Sequence, residues 1–415
     1  MDRLAARTGA MTPTRSGTAD LYLMGGGIPP WLFSRMKRLG LAVTEAIVED
    51  YGTEGFLSRL SDPFWFQSFG AVIGMDWNSS GVTTAVMRAL KAGLNPHAQT
   101  LGLVVCGGKG ARSRKTPDEL IRYADRTGVD GTALARASRL AAKVDNTAVQ
   151  DGFQVYLHAF VASASGAWTV VQQGMKPEDQ TARRYHWHSA GVTSFVREPH
   201  TAVCGETQGE ILNLVDASAE AAQTGIVEVA QERVTALVNE IARMDLPKRY
   251  GLRAKDVDLK RLGAVLHLAQ ETETTDFEEL LLLKGLGPRT LQSLALVSEV
   301  VHGTPTRFRD PARFAFAHGG KGGSPFPVPT TVYDETIETL RTAVQRAKMG
   351  DPDKSKAIAS LHRLAKRTET GYTPRDYFDE VVQTERDTSW QHGGRTAYGL
   401  ATPPEPTPGD QLSLF

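Results

Sequence analysis

Phe153-Gln154-Val155-Tyr156-Leu157-His158-Ala159-Phe160-Val161 is followed, across Ser165-Gly166, by Trp168-Thr169-Val170-Val171-Gln172-Gln173. Aromatic and β-branched residues dominate both runs and a glycine-containing break separates them, so a β-hairpin is expected. With Ser165 and Gly166 as a two-residue turn, His158 lies opposite Gln173. A turn of different length would slide that register by one. A shorter apolar run, Leu101–Cys106, ends in Gly107-Gly108-Lys109-Gly110 and reads as a buried strand.

Outward from this β signal the pattern turns helical. From Ile28 to about Leu94, Pro29-Pro30 introduces Trp31, Leu32, Met36, Leu39, Val43 and Ile47 at amphipathic spacing. Asp62-Pro63 supplies an N-cap followed by proline at the first helical position. Thr116-Pro117-Asp118-Glu119 has the form of a capping box that opens helices reaching about Lys143. Downstream, Glu206 to Met244 reads as a long helical stretch, either continuous or broken near Gly225, and residues 258–300 as a compact helical unit. After Pro325–Pro329, helices are expected at about 334–347, 354–367 and 374–382.

The expected class is α+β: a mixed helix/strand N-terminal domain, then a helical domain and a disordered C-terminal tail. The expected boundaries are a loose leader at 1–18, a mixed domain with the candidate active site at 19–205, and a helical domain at 206–330. C-terminal helices follow at 331–388 and a flexible tail at 389–415. Lys plus Arg and Asp plus Glu both total 47, so the net charge is zero and any polyanion must be met by local patches rather than a cationic blanket. Cys106 and Cys204 are the two cysteines, too few and too far apart for a metal pair or a disulfide framework. No apolar stretch approaches a membrane span and no secretory apolar core opens the chain, so no membrane partner and a cytoplasmic location are expected.

Within the helical unit, Thr275-Asp276-Phe277-Glu278 reads as a capping box. It leads through Leu280–Leu283 into Lys284-Gly285-Leu286-Gly287-Pro288-Arg289-Thr290 and a second apolar helix. This order resembles the helix-hairpin-helix, at 275–296, of DNA repair and recombination proteins. Gly285 and Gly287 permit a tight turn and close backbone approach, and Pro288 suits the first turn of the next helix. Backbone N–H groups can then meet a phosphate, flanked by Lys284 and Arg289, which positions DNA without reading its sequence. An ordinary helical hairpin accounts for the apolar residues equally well but not for Gly-x-Gly-Pro-Arg-Thr. In the related DNA glycosylases a catalytic Asp follows the hairpin. Asp310 lies in that direction at a longer spacing, and Arg289 stands where bifunctional members carry the Schiff-base lysine, so such an activity would be monofunctional. The alternative for Asp310-Pro311 is a helix N-cap with proline at the next position.

Two further groups carry candidate chemistry. Lys109, Arg112, Arg114 and Lys115 crowd a glycine-rich loop before a helix start, a phosphate site or a solvated basic loop; the P-loop spacing is absent. Asp145, Asp151, His158, Gln172, Gln173, Arg183, Arg184, Tyr185, His186, Trp187 and His188 form the densest titratable cluster. A catalytic set of Asp151, His158 and Gln173 could ligate Mg²⁺ or Mn²⁺ for phosphodiester cleavage, as in restriction-like nucleases. The lysine expected two positions after the Gln is replaced by Met175, and a hydrogen-bonded polar sheet face is the competing reading.

At the C-terminus, Gln411-Leu412-Ser413-Leu414-Phe415 follows the Pro-rich Thr402–Asp410. The pentapeptide resembles the motif by which bacterial replication and repair proteins dock on the DNA polymerase sliding clamp (the beta clamp). Gln411 would supply a directional amide there, and Leu412, Leu414 and Phe415 the apolar contact.

Other stretches carry a broader resemblance: Ser61-Asp62-Pro63-Phe64-Trp65-Phe66-Gln67, Gly107-Gly108-Lys109-Gly110, Gln150-Asp151-Gly152-Phe153, Val171-Gln172-Gln173-Gly174-Met175, Arg184-Tyr185-His186-Trp187 and Glu198-Pro199-His200. With Gly17–Leu21 and the Asp76–Thr84 segment they resemble the prokaryotic domain of unknown function 763 family over most of residues 17–330. That resemblance implies no activity. The residues together lead to the expectation of a nucleoid-associated DNA-repair or DNA-processing protein that binds DNA and is recruited by the clamp. It would act as a nuclease or glycosylase, as a non-enzymatic adaptor, or as an RNA-modifying enzyme.

Overall fold

The computed structural model describes residues 21–22, 28–75, 80–178, 181–205, 207–232, 259–306, 308–312, 330–369, 395–396 and 399–400. The expected leader, the helix at 374–382 and the clamp-type peptide lie outside these residues.

The class is α+β. Its centre is an antiparallel sheet with strand order β1-β6-β5-β4-β2, and β7 shares the outer edge of β6 with β1. The strands are β1 (Leu21–Tyr22), β2 (Leu103–Lys109), β4 (Gln154–Ser163), β5 (Trp168–Lys176), β6 (Thr181–His188) and β7 (Ala202–Cys204). A small second sheet orders β3 (Val149–Gln150), β8 (Glu210–Asn213) and β9 (Phe308–Arg309). Because side chains alternate across a strand, each face of the main sheet buries its own core. One face packs Val104, Phe160, Val170 and Trp187 with the helices α5 (Thr116–Thr127), α6 (Gly131–Lys143), α7 (Glu220–Ala230) and α8 (Leu259–Glu271). This core continues into α9 (Phe277–Leu282) and α10 (Pro288–His302), so it runs unbroken from Val104 to Phe308. The other face packs Val105, Ala159 and Val171 under α1 (Pro30–Ser61), α2 (Pro63–Val72) and α3 (Ser80–Leu94), with α11 (Thr330–Arg346) and α12 (Asp351–Glu369). The remaining short helix α4 spans Ala98–Leu101, and β10 (Arg395–Thr396) pairs β11 (Gly399–Leu400).

The local signals fare unevenly. Asp62 caps α2 as expected, its carboxylate accepting the N–H groups of Phe64 and Trp65. The hairpin forms, but its loop is one residue longer than expected. Ser163 N–H donates to Ala167 C=O across Ala164-Ser165-Gly166, with Gly166 at φ +89°. The register shifts by one, so His158 faces Gln172 and Leu157 faces Gln173. The Thr116 capping box does not form; Glu119 turns away to accept the Gly107 N–H at 2.7 Å and to pair with Lys91. Asp276, not Thr275, caps the helix before the turn, accepting the Glu279 N–H. Glu206–Met244 is not one helix: β8 and a loop precede α7, and residues 233–258 lie outside the described set.

Candidate functional site

The sequence's titratable cluster resolves into three separate polar assemblies in and beside the main sheet. The first crosses one face. Ser138 on α6 meets His158 Nε2 at 2.8 Å, and His158 Nδ1 meets Gln172 Oε1 at 2.8 Å. Gln172 Nε2 donates to Asp145 Oδ2 at 2.5 Å and to Ala141 C=O. Because Gln172 Oε1 can only accept, His158 carries its proton on Nδ1 and Nε2 accepts from the Ser138 hydroxyl. Asp145 also receives the Trp187 indole N–H, and its other oxygen lies 2.5 Å from His200 Nε2. Asp145 sits in a one-turn π-helix, Val144–Ala148, at the end of α6, a local widening that re-aims side chains. A serine on a histidine on an amide resembles a nucleophile with its base. Ser138 and His158, however, are 2% and 3% exposed. A substrate would have to open the core to reach them. Burial also holds His158 below its ordinary value, so it stays neutral.

The second assembly centres on Arg183 of β6. Its Nη1 donates to Asp151 Oδ2 at 2.8 Å, and both terminal nitrogens reach Asp310, at 2.9 and 2.8 Å. All three side chains are fully buried. Tyr185 O–H and Phe153 N–H also donate to Asp151, while Gln208 N–H and Ala312 N–H donate to Asp310. Burial pushes Asp151 up from its ordinary value against the pull of Arg183. It would lower Arg183 too, but the two carboxylates outweigh it and raise the guanidinium. The triad ties the segment after β9 to the sheet.

The third assembly is on the opposite face. Gln173 Nε2 donates to Tyr156 O–H at 2.6 Å. Arg184 Nε donates to His186 Nε2 at 2.8 Å, which leaves the His186 proton on Nδ1. The Arg184 guanidinium reaches Gln67 and lies 4.6 Å from the centre of the Phe66 ring.

These positions correct the expected catalytic set. His158 and Gln173 point to opposite faces of the sheet, so with Asp151 they cannot share one metal ion. Asp310 is buried and its carboxylate is spent on Arg183, while the helix expected after Asp310-Pro311 lies outside the described residues. Among the described residues no group of three or more His, Cys, Asp or Glu could hold a metal ion. The residues therefore do not fit the Mg²⁺ or Mn²⁺ that a nuclease reading implies. Both cysteines are buried, and burial pushes their thiols up to about 12.

The turn between α9 and α10 is of another kind. Gly285 has φ +96°, a left-handed backbone that other residues adopt at a cost. Gly287 is the N-cap of α10 in extended conformation (φ −128°, ψ 177°), and Pro288 follows in the first turn. Lys284, Pro288 and Arg289 are exposed, whereas the Thr290 side chain is buried and could meet a strand through its backbone alone. Leu286 is buried beneath the turn. Two contacts that sequence reasoning missed hold the turn on the body. Lys143 Nζ donates to Leu286 C=O at 2.6 Å, and Gln150 Nε2 donates to Pro288 C=O at 2.8 Å. Arg136 on α6 pairs with Glu278 and Glu279 of α9. Lys143 closes α6 and Gln150 belongs to a stretch that carries the family resemblance, but nothing local to either points to the turn; only the tertiary contacts reveal the role.

The basic loop is at the same end of the sheet. Lys109 closes β2, and Gly110–Lys115 form a 3₁₀ turn with Arg112, Arg114 and Lys115 at the surface. Gly107, at φ +86°, is required there: a Cβ would stand 2.3 Å from His158 C=O. The Lys109 ammonium lies 5.4 Å from the Tyr156 ring centre, next to Val155, whose N–H donates to Asn146. Asn146 belongs to the π-helix leading to Gln150 and the turn.

Residues 17–328 match the family described as "Protein of unknown function (DUF763)", and the chain belongs to that family. No curated protein and no solved structure matches it.

Proposed function

We propose that this member of the family is a DNA-binding protein of repair or DNA processing, which grips the sugar-phosphate backbone through the Lys284–Thr290 turn and is brought to its substrate by the sliding clamp. The observation that carries the reading is the turn itself. A left-handed Gly285 and a side-chain-free N-cap at Gly287 open the N-terminus of a fifteen-residue helix between two exposed cations. Free N–H groups at a helix start bind anions, and without a Cβ at Gly287 a phosphate can approach closely. Lys109, Arg112, Arg114 and Lys115, at the same end of the sheet, extend the positive surface along a second stretch of backbone. The Gln411–Phe415 peptide supports recruitment, and DNA as the partner would place the protein at the cytoplasmic nucleoid.

Asp151, His158, Gln173 and Asp310 serve the fold, so the reading favoured within this function is the non-enzymatic adaptor rather than a nuclease or glycosylase. The test is fluorescence anisotropy of a labelled duplex with wild type, Gly287→Val and the pair Lys284→Glu, Arg289→Glu. Each variant should bind about 1–3 kcal/mol more weakly, with a shallower salt dependence for the charge reversals. Unchanged affinity in folded variants would remove the turn from the DNA interface. Stronger competition by RNA than by DNA at equal salt would redirect the reading to an RNA-acting protein.

A further inference from the structure

A cleft of about 520 Å³ opens between α1 and α12, floored by the end of α2 and the residues just after it. Its base is apolar, with Leu39, Val72, Ile73 and Met75. Its walls are cationic: Arg35 and Arg38 stand on the α1 side, Lys356 and Arg363 on the α12 side. Asp353 is the carboxylate in the lining, 3.9 Å from Arg38 in an exposed pair, too weak to neutralise the wall. At the mouth Trp31 is 62% exposed, and the Arg35 guanidinium lies 5.7 Å from its ring centre. An exposed indole beside a guanidinium at the edge of an apolar floor offers a flat face for stacking.

We propose that this cleft receives an unpaired nucleotide of single-stranded nucleic acid, the base stacking on Trp31 over the apolar floor and the flanking phosphates pairing with Arg35, Arg38, Lys356 and Arg363. The volume suits one nucleotide. Stacking platforms interleaved with cations are what sequence-tolerant single-strand binding requires. An acidic peptide would use the cations, but its apolar anchors would seek the floor and leave the indole at the mouth idle. The inference deepens the DNA-binding reading by naming the strand state that this second surface takes, and it needs no residue of the Lys284–Thr290 turn.

The experiment titrates the full chain into a labelled oligothymidylate of about twelve nucleotides, a length within the usual single-strand site size. It compares wild type with Trp31→Ala, Trp31→Phe and the pair Arg35→Glu, Lys356→Glu. All three positions are exposed, so the fold should persist, which matched circular dichroism and denaturation midpoints verify. Trp31→Ala should weaken binding about tenfold and Trp31→Phe should restore most of it. The charge pair should weaken binding further and flatten its salt dependence. Duplex affinity should be unaltered in these variants, while Gly287→Val should lose duplex affinity and keep single-strand affinity, so failure of one site is told from failure of the other. The proposal is overturned if wild type ignores the oligonucleotide or if Trp31→Ala binds it as wild type does. A glutamate-rich peptide that binds in a Trp31-dependent manner where the oligonucleotide does not would make the cleft a protein-docking site, which also overturns it.

Discussion

Replacing Arg183 with methionine should unfold this protein far more readily than its single charge suggests. Among the described residues the guanidinium donates three charge-assisted hydrogen bonds, two to Asp310 and one to Asp151, with all three side chains out of contact with water. Methionine fills much of the volume, so the cost arises from two carboxylates left facing each other in a low dielectric. Breaking a buried pair in this way costs about 3–5 kcal/mol. The lower end is expected, because Asp151 keeps the Tyr185 and Phe153 donors and Asp310 keeps those of Gln208 and Ala312. Adding Asp151→Asn and Asp310→Asn to Arg183→Met removes the stranded charges and should return about 1–2 kcal/mol of the loss. Urea denaturation followed by tryptophan fluorescence measures both steps as shifts in midpoint at constant slope. A cost below about 1 kcal/mol for Arg183→Met, the range of exposed pairs, would refute the dry triad. So would a triple variant weaker than the single one. If Asp310 were catalytic, Asp310→Asn would instead abolish base excision while leaving the midpoint in place.

The two turn glycines should separate stability from binding. Gly285→Ala forces a side chain into φ +96° and should cost about 1–2 kcal/mol of stability, whereas Gly287→Ala, in extended backbone, loses only a favourable N-cap residue and should cost less, about 0.5 kcal/mol. Acid should weaken the fold early. Burial lowers His158 and, with the neighbouring Arg184 charge, lowers His186 further, so the unfolded chain takes up protons below 6.5 that the native state refuses. Stability should therefore be full above that pH and fall as the pH drops below about 6.5, with a flatter profile in His158→Gln. Asp151, raised by burial, acts in the opposite sense. Both thiols should ignore Ellman's reagent in the native protein and react in urea; a fast native thiol would contradict the burial of Cys106 and Cys204. Removing residues 411–415 should abolish co-precipitation with purified sliding clamp while duplex affinity persists, and loss of both would sink the separation of hook from grip.

Much of the architecture was legible from local pattern. The helices under Met36, Leu39 and Val43, the Asp62 cap, the hairpin and the Gly285-x-Gly287-Pro288 turn all announce themselves within a few residues. Strand β6 did not. Arg183 and Arg184 point to opposite faces and both are buried, so the alternation of apolar and polar residues that marks a strand is absent. Strand β8 was hidden for another reason: Glu210–Asn213 is four residues long and its pairing partners, β3 and β9, lie far away in sequence. Register was lost to a single loop residue, which was enough to send Gln173 to the wrong side of the sheet relative to His158.

Sequence by itself determined the Lys284–Thr290 turn, because left-handed φ at Gly285 and a proline-started helix are properties of the residues that carry them. Tertiary structure alone decided what the acids do. Asp151 and Asp310 meet on Arg183 from separations of 32 and 127 residues. A carboxylate with no local signature becomes a buried ion-pair partner or a reactive acid according to what the distant chain brings beside it and whether water follows.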